Sequence, residues 1–299
     1  MENPSDELKA KHIPELDLKE TRIMGILNIT PDSFSDGGQF LDVNRAVAHA
    51  LQMEKDGADI IDIGGESSRP GADPVSEKEE LARVLPVIKG IREKSHILLS
   101  IDTYKSGVAK RALKAGVSLI NDISGLRSDP EMINVAKDFD CPVVVMHMKG
   151  TPRTMQKNPS YGDVCREVDE FFYERIESLV KNGITKIILD PGIGFGKRTE
   201  DNLNLIRSCN IFMHHGLPLL VGPSRKSFIG LITDRPEDQR LAGTLATVQP
   251  LVHQGVNILR VHDVLETIDF LKVMTSIKES SDSLKANHKD TKQALSTQR

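Results

Sequence analysis

Eight short apolar runs recur along this chain, and each is followed by a longer stretch of helical period. The runs are Ile23 to Ile29, Asp59 to Ile63, Ile97 to Ile101, Ser118 to Ile123, Val143 to Met146, Lys186 to Leu189, Leu217 to Val221 and Asn257 to Val261. Short runs of Val, Ile and Leu alternating with helical segments predict βαβ units and a parallel sheet. Between the runs, Val43, Val47, Ala50 and Leu51 share one helical face, as do Leu81, Val84, Leu85 and Ile88, and Val164, Val168, Phe171 and Phe172. Ser76 with Glu79 reads as a capping box, and Asp263 as the cap of the last helix.

Eight strand-helix units between about residues 20 and 275 match the roughly 250 residues of a closed (β/α)8 TIM barrel. A doubly wound sheet competes with this reading. It would use fewer strands and place a glycine-rich loop after the first, where this chain has Asn28-Ile29-Thr30-Pro31-Asp32. The chain therefore reads as a single α/β domain over 20–275. A partly disordered extension covers 1–19. A polar tail covers 276–299, where Ser, Lys, Asp and Gln with isolated apolar residues predict disorder.

Composition narrows the function. Thirty-nine Lys+Arg against 43 Asp+Glu give a net charge of −4, without the broad basic footprint of a nucleic-acid binder. No apolar stretch has the length of a membrane span and the first twenty residues are heavily charged, so a cytoplasmic protein is expected. Cys141, Cys165 and Cys209 lack disulfide or zinc spacing and read as reduced thiols.

In such a barrel the active site gathers at the C-terminal ends of the strands, and here every end is polar. The runs lead into Asn28, Asp62, Asp102, Asn121, His147, Asp190, the Ser224-Arg225-Lys226 segment and Arg260-Val261-His262. Thr103, Asp122 and Asp263 sit where helices begin and read as caps. The rest are better explained by one shared ligand than by separate buried polar groups, each of which would need its own partner. Asp102, Asn121 and Asp190 suit a flat heterocycle with several N–H donors. Arg69, Lys226, Arg260 and His262, cationic or able to become so, suit a phosphorylated group.

Two glycine-containing loops, Thr30 to Gly38 and Gly65 to Gly71, are suited to close over a substrate. Two apparent motifs are discounted. Gly192 to Lys197 lacks the Gly and Ser/Thr positions of a phosphate-binding P-loop. His214-His215 has no acidic or cysteine neighbour at ligand spacing and reads as surface.

The segments Met24 to Gly38 and Asp62 to Gly71 strongly resemble the two signatures of the dihydropteroate synthase family. Further matches follow in order at Ser100 to Thr103, Asn121 to Ile123, Met146 to Met148, Leu189 to Lys197, Ser224 to Ser227 and Arg260 to Asp263. The resemblance implies condensation of 6-hydroxymethyl-7,8-dihydropterin diphosphate with p-aminobenzoate, releasing diphosphate for folate synthesis. It implies that Asp102, Asn121, Asp190 and Lys226 hold the pterin, and that Asn28, Arg260 and His262 bind diphosphate. Mg2+ would engage Asn28 and Asp36. Phe34, Ser68, Arg69, Pro70, Lys226 and Ser227 would shape the p-aminobenzoate site, a sulfonamide target. Ser68 stands where the family often has Thr. Asp102, Lys226, Arg260, His262 and Arg69 are the implied catalytic set, and a homodimer is the implied assembly. The alternatives are a pterin-binding methyltransferase, which has little use for a diphosphate site, and a noncatalytic pterin-binding barrel.

Overall fold

The computed structural model describes residues 17–29, 38–67 and 71–296. The elements run β1 (Arg22–Asn28), α1 (Gly38–Lys55), β2 (Ile60–Gly64), α2 (Glu77–Arg92), β3 (Leu98–Asp102), α3 (Ser106–Lys114) and β4 (Leu119–Asp122). They continue with α4 (Glu131–Phe139), β5 (Val143–Met146), α5 (Val164–Lys181), β6 (Ile187–Asp190), α6 (Thr199–Arg207), a 3-10 helix (Cys209–His215) and β7 (Leu220–Val221). α7 (Ser227–Thr233), α8 (Leu241–His253), β8 (Ile258–Val261) and α9 (Val264–Ser296) complete the chain. All eight expected strands are present, in the order β6-β5-β4-β3-β2-β1-β8-β7. Every ladder is parallel, and a bridge from Leu189 to Leu219 joins β6 to β7, closing the barrel. β7 is shorter than its apolar run because Pro218 has no N–H and the Leu219 amide donates to the Asn257 side chain instead of the ladder.

Side chains alternate across each strand, so one face fills the barrel and the other meets the helices. Met24, Ile60, Leu119, Val144, Ile188, Leu220 and Ile258 form one buried cluster with Leu98 packed against it, one residue from each strand. Leu18, from the segment before β1, packs on the same cluster, and its carbonyl accepts a hydrogen bond from Asn257. The outer faces pack on the predicted helical faces: Val47, Ala50, Leu81, Val84, Ile88, Val164, Val168 and Phe172 all lie in the surrounding core. Ser76 caps α2 by accepting from the Glu79 amide, while the Glu79 side chain pairs with Arg83 instead of completing the box.

Three local expectations change. Asp263 does not cap α9 with its carboxylate, which holds the Arg225 guanidinium instead. Thr103 and Asp122 serve short turns, accepting from the amides of Lys105 and Ser124. The α3 terminus is served by Asp129, which accepts from the Ser106 amide. The backbone also stays helical to Ser296, across a stretch read as disordered. Its composition lacks the apolar residues that packing needs, but from Val264 to Ser296 it also lacks any proline or glycine to break a helix.

Candidate active site

Two residues beyond the apolar plug, the inward positions turn polar. Asp62, Ser100, Asn121, Asp190 and Arg260 occupy this level, and Asn28, Asp102, Ser224 and His262 stand one step nearer the mouth. The parallel register carries the alternation from strand to strand, pairing Asp62 with Ser100, Gly64 with Asp102 and Asp102 with Asn121. Thus a period of two, started by the plug, delivers polar groups from neighbouring strands to one space.

Arg260 is the hub. Its Nε donates to Asp62 Oδ2 at 2.6 Å and its Nη2 to Asp102 Oδ2 at 2.7 Å, while Asn121 Nδ2 donates to the same Asp62 oxygen at 2.8 Å. The expected diphosphate-binding arginine is therefore anchored inside the barrel by two carboxylates. Asp62, absent from the expected ligand set, is fully buried and orients both Arg260 and Asn121. Its signal in the sequence was a lone acid inside the apolar run Ile-Ile-Asp-Ile. Among the described residues, Asp62 Oδ1 and Ser100 Oγ are buried without a hydrogen-bond partner. Buried polar atoms left in this state point to a water or ligand in the space they face.

Burial sets the charges here. It pushes the Asp102 carboxyl up to about 7, against the pull of Arg260 and with a further push from Asp62. It lifts Asp190 to about 6, although the Gly192 amide and Lys226 oppose the rise. Lys226 is lowered to about 8 by burial and then by Arg260, with Asp190 pulling the other way. Its ammonium lies 4.1 Å from the centre of the Phe195 ring, a cation–π contact. His262 falls to about 3, through burial first and then Arg260, Arg225 and Lys226. Its neutral form is therefore favoured near pH 7, one of the two states the sequence left open. Ser224 Oγ accepts from the His262 amide and lies 3.0 Å from its Nδ1. The hydroxyl proton is then free to donate to Nδ1, which leaves Nε2–H as the ring's outward donor.

Two loops hold these groups by unusual backbone. In the segment after β7, Arg225 adopts φ +55, a conformation costly for a side-chain-bearing residue. Asp263 grips its guanidinium, Thr244 accepts from its amide, and Arg240 donates to its carbonyl. The adjoining Lys226 is thereby aimed at the mouth. After β6, Gly192 has φ +68 and passes so close to β5 that a Cβ would fall 1.9 Å from the His147 carbonyl oxygen. Lys197 fastens this loop from beneath, donating to the carbonyls of Gly192 and Phe195 and contacting His147 Nδ1 at 3.0 Å. Burial lowers Lys197 to about 7 and His147 to about 2, and Lys197 adds to the lowering of His147. The GxGxGK segment therefore clamps two loops and offers no phosphate cradle.

A cavity of about 320 Å³ opens over the strand ends and is lined by Asn28, Ser224, Lys226, Ser227, Arg260 and His262, among others. A second space, of about 20 Å³, lies between Asp102, Asn121, Asp190, Phe195, Lys226 and Arg260. It has room for a water but not for a two-ring heterocycle. Phe195, Gly222, Lys226 and Arg260 border both spaces, so the two adjoin. The expected pterin residues and the expected anion residues are thus adjacent. Phe34, Asp36, Ser68, Arg69 and Pro70 lie outside the described residues.

Residues 24–262 match the family model for the pterin binding enzymes. The chain is 47% identical over 262 residues to a dihydropteroate synthase of Synechocystis, covering 87% of this chain and 91% of that one. The chain belongs to the dihydropteroate synthase family. Two solved dihydropteroate synthase structures from Xanthomonas albilineans share its fold. One, with 4-aminobenzoic acid, has a TM-score of 0.83 at 44% identity and covers 88% of this chain and 95% of its own. The other, in complex with 7,8-dihydropteroate, has a TM-score of 0.79 at 41% identity over the same shares. The family match spans the barrel from β1 to just past β8, a stretch that includes Asn28, Asp62, Asp102, Asn121, Asp190, Lys226, Arg260 and His262.

Proposed function

We propose that the barrel mouth condenses 6-hydroxymethyl-7,8-dihydropterin diphosphate with p-aminobenzoate to give 7,8-dihydropteroate and diphosphate. One observation carries the assignment of roles: acceptors and donors for a flat ring and donors for an anion share the boundary formed by Lys226 and Arg260. Asp102 and Asp190 accept from ring N–H groups, while Asn121 and Lys226 donate to ring nitrogen or oxygen. His262, through Nε2–H, and the outer face of Arg260 donate to the diphosphate. Ser227, at the start of α7, lines the part of the cavity assigned to p-aminobenzoate, with Phe34, Ser68, Arg69 and Pro70 completing that side in the proposal.

The C–O bond from the pterin methylene to diphosphate breaks, and its electron pair leaves with the diphosphate. The aniline nitrogen forms the new C–N bond and releases a proton to solvent. No enzyme nucleophile is required. Fixed donors at the leaving oxygens lower the barrier because they act where charge develops. The Asp102 carboxylate, beside the ring, stabilises positive charge that spreads from the methylene.

Mg2+ belongs to the same proposal. Asn28 offers a hard amide oxygen at the end of β1, next to Gly64, where a Cβ would lie 3.5 Å from it. One such oxygen together with Asp36 suits an ion that keeps waters and substrate phosphates as its other ligands. When bound, the ion would neutralise diphosphate charge. A homodimer and a cytoplasmic location also form part of the proposal; no described helix is long and apolar enough to cross a membrane.

The test is diphosphate release by the purified protein with Mg2+ and both substrates. Release with both and none with either omitted is the expected pattern. Release without p-aminobenzoate would mean hydrolysis instead.

A further inference from the structure

Outside the groups gathered at the strand ends, two consecutive histidines from the segment between β6 and β7 converge with one aspartate. His214 and His215 end the 3-10 helix before β7, and Asp169 projects from α5. His215 Nε2 lies 2.9 Å from Asp169 Oδ1, and His214 Nε2 lies 3.5 Å from the same oxygen. The three potential ligand atoms all lie within 4.8 Å of one another. The acid that the local sequence lacked is supplied by a helix some forty-five residues earlier.

A simple hydrogen-bonding clamp accounts for His215, which is buried and packs edge-on to Phe172. It does not account for His214. Successive side chains of a 3-10 helix point about 120° apart, yet these two rings stand 4.0 Å apart and face one oxygen. His214 Nδ1 lies 2.6 Å from the Ile211 carbonyl oxygen, an acceptor, so Nδ1 carries the proton and Nε2 keeps its lone pair. A backbone carbonyl fixing one imidazole nitrogen while the other faces a carboxylate and a second imidazole is the usual outer support of a metal-binding histidine.

We propose that Asp169, His214 and His215 bind a divalent transition cation of the zinc class, at a site separate from the barrel mouth. Two imidazoles and a carboxylate suit Zn2+, Ni2+ or Cu2+, whereas Mg2+ prefers oxygen donors alone. His214 is more than half exposed, so solvent can supply the remaining ligands. Ligand bonds of about 2.0–2.2 Å require only a small inward turn of that exposed ring. The ion would tie α5 to the segment that leads into β7.

The test uses full-length protein, stripped with chelator and held in excess Mg2+ to occupy oxygen sites, then titrated with Zn2+ by calorimetry. Wild type is expected to bind one Zn2+ per chain and to unfold at higher temperature in its presence. His214→Ala and Asp169→Asn should each weaken binding at least about tenfold and lose the thermal shift, while dihydropteroate synthesis in Mg2+ persists. Equal Zn2+ affinity in wild type and His214→Ala would overturn the proposal, as would the absence of saturable binding. His214 is exposed, so its replacement reports on the ion and not on folding.

Discussion

Asp102 is pulled in two directions. Burial favours its neutral form and Arg260 favours its charge, and the balance leaves its carboxyl at about 7. If the carboxylate stabilises charge at the reacting methylene, Asp102→Asn should lower kcat on the order of 10²-fold while pterin affinity changes far less. Steady-state kinetics with a separate binding measurement decides this, and an unchanged kcat would count against the role. The pH profile follows from the same groups. Asp190, at about 6, and Asp102 must lose their protons, so kcat/KM should rise with pH through 6 to 7. Lys226 must keep its proton, so kcat/KM should fall above about 8. Asp62 predicts a different outcome, because it pairs with Arg260 in the barrel interior. Asp62→Ala leaves that cation half-paired and should cost about 3 kcal/mol of stability, read by denaturant unfolding. Most chemical identities at the mouth were legible as polar strand ends. The charge state of His262 was not, because it depends first on burial, and then on Arg260 beside it on β8 and on Arg225 and Lys226 from the loop after β7.

The loop after β6 is an element whose local pattern suggested one function and whose packing gives it another. Gly192, Gly194 and Gly196 all have positive φ, and Lys197 is buried beneath them. Gly192→Ala should therefore displace the loop or the His147 backbone and raise KM for the pterin substrate, with a smaller change for p-aminobenzoate. Lys197→Met removes the donor to three buried carbonyls, of His147, Gly192 and Phe195, and should cost about 1–3 kcal/mol for each carbonyl left unpaired. Strands and helix faces were readable from the sequence because their periods are local. The ends of elements were harder. Asp263 looks like a cap in one dimension, yet it is spent on Arg225, 38 positions away. The shortening of β7 was only partly open to prediction from Pro218, since the Leu219 amide is diverted to the Asn257 side chain, 38 positions away.

Across the whole molecule, the count of eight alternating runs was enough to specify the barrel, and a single plug residue per strand sets where the polar levels fall. What the count could not supply is proximity between distant outer elements: Asp169 and His214-His215 meet only once α5 has packed beside the 3-10 helix. The same applies to surfaces between copies. Leu231 and Ile232 on α7 are 76% and 58% exposed, an apolar pair suited to a contact in the proposed homodimer. If the proposed homodimer uses this pair, Leu231→Asp should leave only monomer in sedimentation, and an unchanged sedimentation profile would count against that contact. The near-neutral net charge of −4 hides local sorting, with carboxylates and amides beside the ring space and Lys226, Arg260 and His262 toward the anion. That sorting is the central claim, and product stoichiometry tests it most directly. With Mg2+, dihydropterin diphosphate and p-aminobenzoate, diphosphate and 7,8-dihydropteroate measured together by mass spectrometry should appear in equal amounts; diphosphate without dihydropteroate would contradict it.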